Sequence, residues 1–181
     1  MKFELWHAFV LGAILSWGAY VPVLQEGQAQ LGGNPGSRAI RAFLCVGIAY
    51  FITAIVVPVI LMLTNVLPRD FQFTPRGTTF AVLGGIAGAA GALGIILAFM
   101  AGGKPLFIAP LVFAGAPIVA TIVTFLWHQE GKPGAVFYVG LVLAAVGAAL
   151  VLYSKGQMEM SKKAAAVKIE APAQTPEPTR L

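Results

Sequence analysis

Polar and apolar residues in this chain are sorted into long blocks, and the blocks carry the first structural expectation. Five runs contain no Asp, Glu, Lys or Arg: residues 5–24, 42–64, 78–101, 105–127 and 135–153. A hydrocarbon layer of about 30 Å takes about 20 mostly apolar residues at a helical rise of about 1.5 Å each. Each run therefore predicts one membrane-spanning helix. An ionised side chain at mid-bilayer costs about 2.5–3.5 kcal/mol on insertion scales, so five empty intervals read as selection by lipid. Five buried helices of a soluble core would leave no amphipathic helix to face water.

The polar stretches between the runs are short. Residues 25–41 carry Gly32-Gly33-Asn34-Pro35-Gly36, and residues 65–77 carry Pro68-Arg69-Asp70 and Thr74-Pro75-Arg76, both rich in turn-forming residues. Gly102-Gly103-Lys104 and residues 128–134 predict tight reversals, making helical hairpins of spans three, four and five. Lys2, the first apolar run and Gly27-Gln28-Ala29 loosely imitate a signal peptide. The run is longer than the usual apolar region of such a peptide, and Trp17, Tyr20 and Pro22 suit it poorly, so a retained span is expected. Two regions result: a membrane domain over residues 1–154 and a Lys-, Ala- and Pro-rich tail over residues 155–181, expected to be disordered.

Composition agrees with the blocks: 58% of residues are hydrophobic and 10% charged, against roughly 25% charged in a soluble domain. The net charge of +5 is scattered between apolar runs, which argues against a nucleic-acid partner, since that needs a basic face or stripe. One cysteine, Cys45, excludes an internal disulfide, and His7 and His128 match no metal-ligand spacing, so neither a metal nor another cofactor is expected. Five spans place the termini on opposite sides. Arg38, Arg41, Lys104 and Lys155 lie with the C-terminus, against Lys2, Arg69, Arg76 and Lys132 on the other side. With the further tail lysines, this predicts a cytoplasmic C-terminus in a multi-pass cell-membrane protein, by a modest margin.

Few residues inside the spans carry chemistry. Ser16, Trp17 and Tyr20 offer stacking and hydrogen bonds within span one; Tyr20 suits an interfacial belt equally well, whereas Trp17 lies too deep for one. Span three repeats small residues, Gly84 with Gly88 and Ala87 with Gly91, and such pairs let helices approach closely. Plain tight packing accounts for them as readily as a cavity wall does. Pro22, Pro58, Pro110 and Pro117 each remove a donor and free a carbonyl, which makes them candidate helix breaks or gates and favours an internal aqueous path. Glu26 ends span one as a boundary or loop acid. Glu4 and His7, with His128 and Glu130, suit either a proton-handling vestibule or ordinary helix ends. The spans offer Ser16 and His7 but no acid, so an intramembrane enzyme is not expected.

Taken in order, these motifs resemble one five-helix repeat of the drug/metabolite transporter superfamily, the EamA-like proteins. Ser16-Trp17-Gly18-Ala19-Tyr20-Val21-Pro22 resembles the family's Trp-Gly motif, and Ala39-Ile40-Arg41-Ala42-Phe43-Leu44 its Leu-Arg-Phe segment, with Arg41 at the arginine position. Pro117 precedes Glu130 by thirteen residues, as the family's fourth-helix proline precedes its glutamate, and Gly140 and Gly147 fall on the fifth helix's repeated glycines. The resemblance covers residues 5–153. It departs in presenting one copy where most members carry two, and in Gly131-Lys132-Pro133 after Glu130, where a basic residue usually follows directly. It implies an all-α membrane domain that moves a small metabolite or drug-like solute; by their own placement in spans one and three, Trp17, Tyr20, Gly88 and Gly91 are expected along the path. It further implies assembly as a homodimer, including the antiparallel form that a weak charge bias permits. Glu130 is expected to organise the turn before span five. Alternatives are a non-transporting membrane helper or scaffold, and a sugar-type transporter of the same superfamily, suggested by Val21-Pro22.

Overall fold

A computed structural model describes residues 4–64, 72–127 and 133–170, the last four as backbone only. Among them are five helices and no strand: α1 (Leu5–Gln30), α2 (Pro35–Leu63), α3 (Pro75–Met100), α4 (Pro105–Trp127) and α5 (Ala135–Glu170). All five are long and apolar enough to cross a membrane.

The helix starts follow from local chemistry. Asn34 Oδ1 accepts from the Ser37 backbone N–H at 2.8 Å, and Thr74 Oγ1 from that of Gly77 at 3.3 Å. In both cases proline follows the cap, where its missing N–H costs nothing and its fixed φ suits the first turn. α3 ends in a paired turn: Gly102 N–H donates to Phe99 O at 3.0 Å and Gly103 N–H to Ala98 O at 2.8 Å. Gly102 takes a φ of 88°, in the left-handed region that glycine enters without a Cβ penalty.

Four helices outrun their apolar blocks: α2 begins seven residues before Ala42 and α3 three before Thr78, both at prolines expected to lie in turns. α1 continues six residues past Leu24 to Gln30. α5 runs on to Glu170, which corrects the expectation of disorder from residue 155. Residues 155–166 are mostly Lys, Ala, Met, Gln and Glu, all good helix formers, and they extend a helix the span has already nucleated. An exposed Lys155–Glu159 pair at 3.6 Å and a Gln157–Tyr153 hydrogen bond at 2.7 Å lie one turn apart along it.

The chain divides into two compact units, residues 1–108 and 109–181. In the first, α1, α2 and α3 pack pairwise on one another. Each contributes residues at helical spacing: Val21, Leu24, Gln28 and Leu31 from α1, Ala39, Ala42, Phe43 and Val46 from α2, and Ala92, Ile95 and Ile96 from α3. Ala39, Ala42 and Ile96 form the buried centre. The close approach expected of small residues is thus made by alanines. Gly88 and Gly91 are exposed, with nothing within 4 Å of an added Cβ. In the second unit, Phe125 and Tyr138 rings lie 6.4 Å apart, and Phe137 meets Tyr138 edge-on at 5.7 Å.

Candidate functional site

Three clefts run along α1 and share lining residues. One, about 570 Å³, is lined by Ser16, Trp17, Ala19, Tyr20, Val23 and Tyr50. The next, about 360 Å³, begins again at Tyr20 and Val23 and continues past Leu24 and Gly27 to Gln28, with Ala42, Cys45, Val46 and Ala49 opposite. The third, about 150 Å³, takes Gln28 with Gln25, Ala29, Pro35, Arg38, Phe99 and Met100. From Ser16 to Gln28 is about 18 Å of helix axis at about 1.5 Å per residue.

Polar groups stand at the shared points. The Tyr20 hydroxyl is buried beside Tyr50 without a partner in hydrogen-bond geometry, and its ring lies 5.4 Å from that of Trp17. Gln28 is 6% exposed, and its Nε2 donates to Ile96 O at 3.2 Å, tying α1 to α3. A carbonyl only accepts, so this contact fixes the amide with its oxygen turned away. That oxygen has no partner, and neither has the buried Nε of Arg38. Each orphaned group costs roughly 1–3 kcal/mol unless something binds it.

The helix ends around Arg38 are knit by guanidinium groups. Arg38 Nη1 donates to Ala29 O at 3.3 Å, while Arg41 donates from Nε to Ser37 O at 3.2 Å and from Nη2 to Gly32 O. A Cβ at Gly33, whose φ is +96°, would stand 2.9 Å from Arg41 Nη2. Arg41 therefore closes the α1–α2 turn and lines none of the three clefts. Cations at the C-terminal end of α1 also oppose its dipole favourably.

The remaining sequence candidates are placed as follows. Trp17 and Tyr20 border one cleft, and Gly88 and Gly91 border none of the three. Pro22, Pro58, Pro110 and Pro117 lie inside helices that continue through them. Glu26 accepts from Gln30 Nε2 at 2.7 Å on the exposed side of α1. Glu4 and His7 act locally: the His7 ring nitrogen Nδ1 accepts from the Glu4 backbone N–H at 3.1 Å, and Trp6 Nε1 donates to Glu4 Oε2 at 2.7 Å. Glu130 and His128 lie outside the described residues. Among the described residues, no group of three His, Cys, Asp or Glu is placed to hold a metal ion.

Sequence reasoning missed Gln28, Arg38 and Tyr50 as site residues. Gln28 had a signal, since it stands seven residues after Val21 and continues the buried face of α1.

Five helices long and apolar enough to cross a membrane are consistent with a multi-pass membrane protein. Compared with protein-family models, with curated proteins and with solved structures, the chain matches none.

Proposed function

We propose that this protein moves a small solute across the cell membrane along the α1 groove, on the plan of a drug/metabolite-transporter repeat. One observation carries the reading: clefts lined from Ser16 to Arg38 share Tyr20 and Gln28, and each holds a buried polar atom, that of Tyr20 beside Tyr50 and that of Gln28 without a partner. Lipid can satisfy neither atom, whereas a passing solute or water can. The walls between them are apolar, which suits weak binding and release along a path. The protein's role is transport without chemical change of the solute.

Assembly as a homodimer belongs to the same reading. Gly84, Gly88 and Gly91 leave open space on α3, a face on which a second copy can approach closely. The tail is cytoplasmic in this reading, from the excess of Arg38, Arg41 and Lys104 in the connections that five alternating spans assign to the C-terminal side.

Cys45 supplies the test, because it is the chain's one cysteine, is exposed, and lines the middle cleft. Alkylating it in proteoliposomes should block uptake of a transported solute, and excess solute should slow the alkylation. Trp17→Ala should abolish flux at unchanged folded yield. Absence of flux for every member of a broad metabolite set would leave the protein a non-transporting membrane helper.

A further inference from the structure

The smallest cleft has the chemistry of a recognition site. It lies where the end of α1, the start of α2 and the end of α3 meet, and two of its side chains carry buried polar atoms with no hydrogen-bond partner in the protein. Gln28 is more than nine-tenths buried, and its amide nitrogen is committed to Ile96 O, so its oxygen is left to accept. Arg38 is half-buried, spends Nη1 on Ala29 O, and leaves Nε–H to donate. Among the described residues no carboxylate pairs with Arg38.

We infer that the Gln28–Arg38 cavity binds a small hydroxycarboxylate, its carboxylate on Arg38 and its hydroxyl donating to Gln28. A partly desolvated guanidinium without a counter-ion favours an anion, and its planar donors match a carboxylate. The Gln28 oxygen requires a donor on the same molecule. An ammonium would bring a second positive charge beside Arg38 with no acid lining the cavity, so a hydroxyl fits better. Size agrees: a cavity of about 150 Å³ is of the class that takes a six-heavy-atom ring, and lactate has about as many atoms. Ala29 and Pro35 are exposed at the rim, which gives such a solute a way in from the aqueous side. This names a solute class for the proposed path and rests on the transport reading for its purpose, though binding itself does not depend on it.

Three probes separate the contacts when titrated calorimetrically into the purified full chain in mild detergent. L-Lactate should bind saturably, whereas propionate, which lacks the donor, and lactamide, which lacks the charge, should each bind about tenfold or more weakly, because a buried polar group is then left unpaired. Arg38→Gln should lose lactate binding at unchanged helix content. If that variant fails to fold, Arg38→Lys keeps the charge without the Nε donor and should weaken lactate binding at least several-fold. Gln28→Leu should bind lactate and propionate alike. A wild-type cavity that binds none of the probes and holds water only would overturn the inference, as would undiminished lactate binding in Arg38→Gln. Lactate binding without uptake into proteoliposomes would keep the site and remove the transport reading. Flux of another solute, unaltered by Arg38→Gln, in a protein that ignores lactate would do the reverse.

Discussion

The α1–α3 bundle has two unlike ends. At one, Leu24, Leu31, Phe43 and Val46 close around Ala39, Ala42 and Ile96, and Gln28, Arg38 and Arg41 reach across to backbone carbonyls. At the other, residues 47–60 of α2 and 75–88 of α3 are exposed throughout, as is α1 from Ala8 to Ala19. Both ends are built of apolar helix, so hydrophobicity does not distinguish them. What differs is the presence of small residues matched to large ones, and of side chains able to bond another helix's backbone. In lipid these are the terms that associate helices, since burying apolar surface against protein gains little over burying it against acyl chains. The packed end fixes the frame, and the open end buries little against the rest of the bundle.

The largest test sets matched substitutions at the two ends against each other. Ile96 is fully buried and Ile86 is 59% exposed on the same helix. Ile96→Ala should lower stability by about 2–5 kcal/mol through the cavity it leaves. Ile86→Ala should cost under about 0.5 kcal/mol, the usual size at an exposed site. Reversible unfolding in mixed micelles measures both, and equal losses would erase the distinction between the ends.

A second contrast concerns glycines. A Cβ at Gly103 would lie 2.7 Å from Ala98 O and 2.6 Å from Ile108 Cδ1, whereas one at Gly94 meets nothing within 4 Å. The backbone oxygen cannot yield as a side chain can. Gly103→Ala should cost about 1–3 kcal/mol, in the range of overpacking, and Gly94→Ala should be neutral or slightly stabilising through helix propensity. The same unfolding assay reads both variants.

Much of this frame was legible in the chain. Charge-free blocks gave five helices and Gly102-Gly103 marked the end of α3, but Asn34-Pro35 and Thr74-Pro75, read as turn chemistry, are the caps and first residues of α2 and α3. The faces were less legible, because a residue facing lipid and one facing another helix are both apolar. The glycine run of α3 therefore drew attention away from Ala39, Ala42 and Ala92, the small residues that are buried. Ending span one at its last apolar residue also hid Gln28, since a polar residue one turn later reads as loop until its spacing from Val21 is counted. The extension of α5 was missed for a related reason. Lysine-rich composition argues against burial, but an exposed helix needs none once its first turns are formed.

The loop between α1 and α2 tests whether the packed end depends on its arginines as well as on its alanines. Arg41 holds Gly32 O and Ser37 O from an exposed position. Removing those bonds in Arg41→Ala should cost about 1 kcal/mol, since solvent can replace what is lost. The loss should appear as faster proteolysis at the Gly32-Gly33 turn, with the helices intact. A loss as large as that of Ile96→Ala would mean that the loop, and not the helix interface, fixes the frame.

The smallest effect on stability is expected at Gly88 and Gly91, and there the informative reading is assembly. Both glycines face open space within one chain, so leucine at either position fits the protomer and should change its stability by less than about 0.5 kcal/mol. If α3 of one copy lies against α3 of another, the new side chains hold the backbones apart, and van der Waals contact falls steeply with an added gap. The Gly88→Leu, Gly91→Leu double variant should therefore unfold like the parent while its dimer fraction drops in mild detergent, as read by native mass spectrometry. A dimer that survives the double substitution intact would move the second copy off this face.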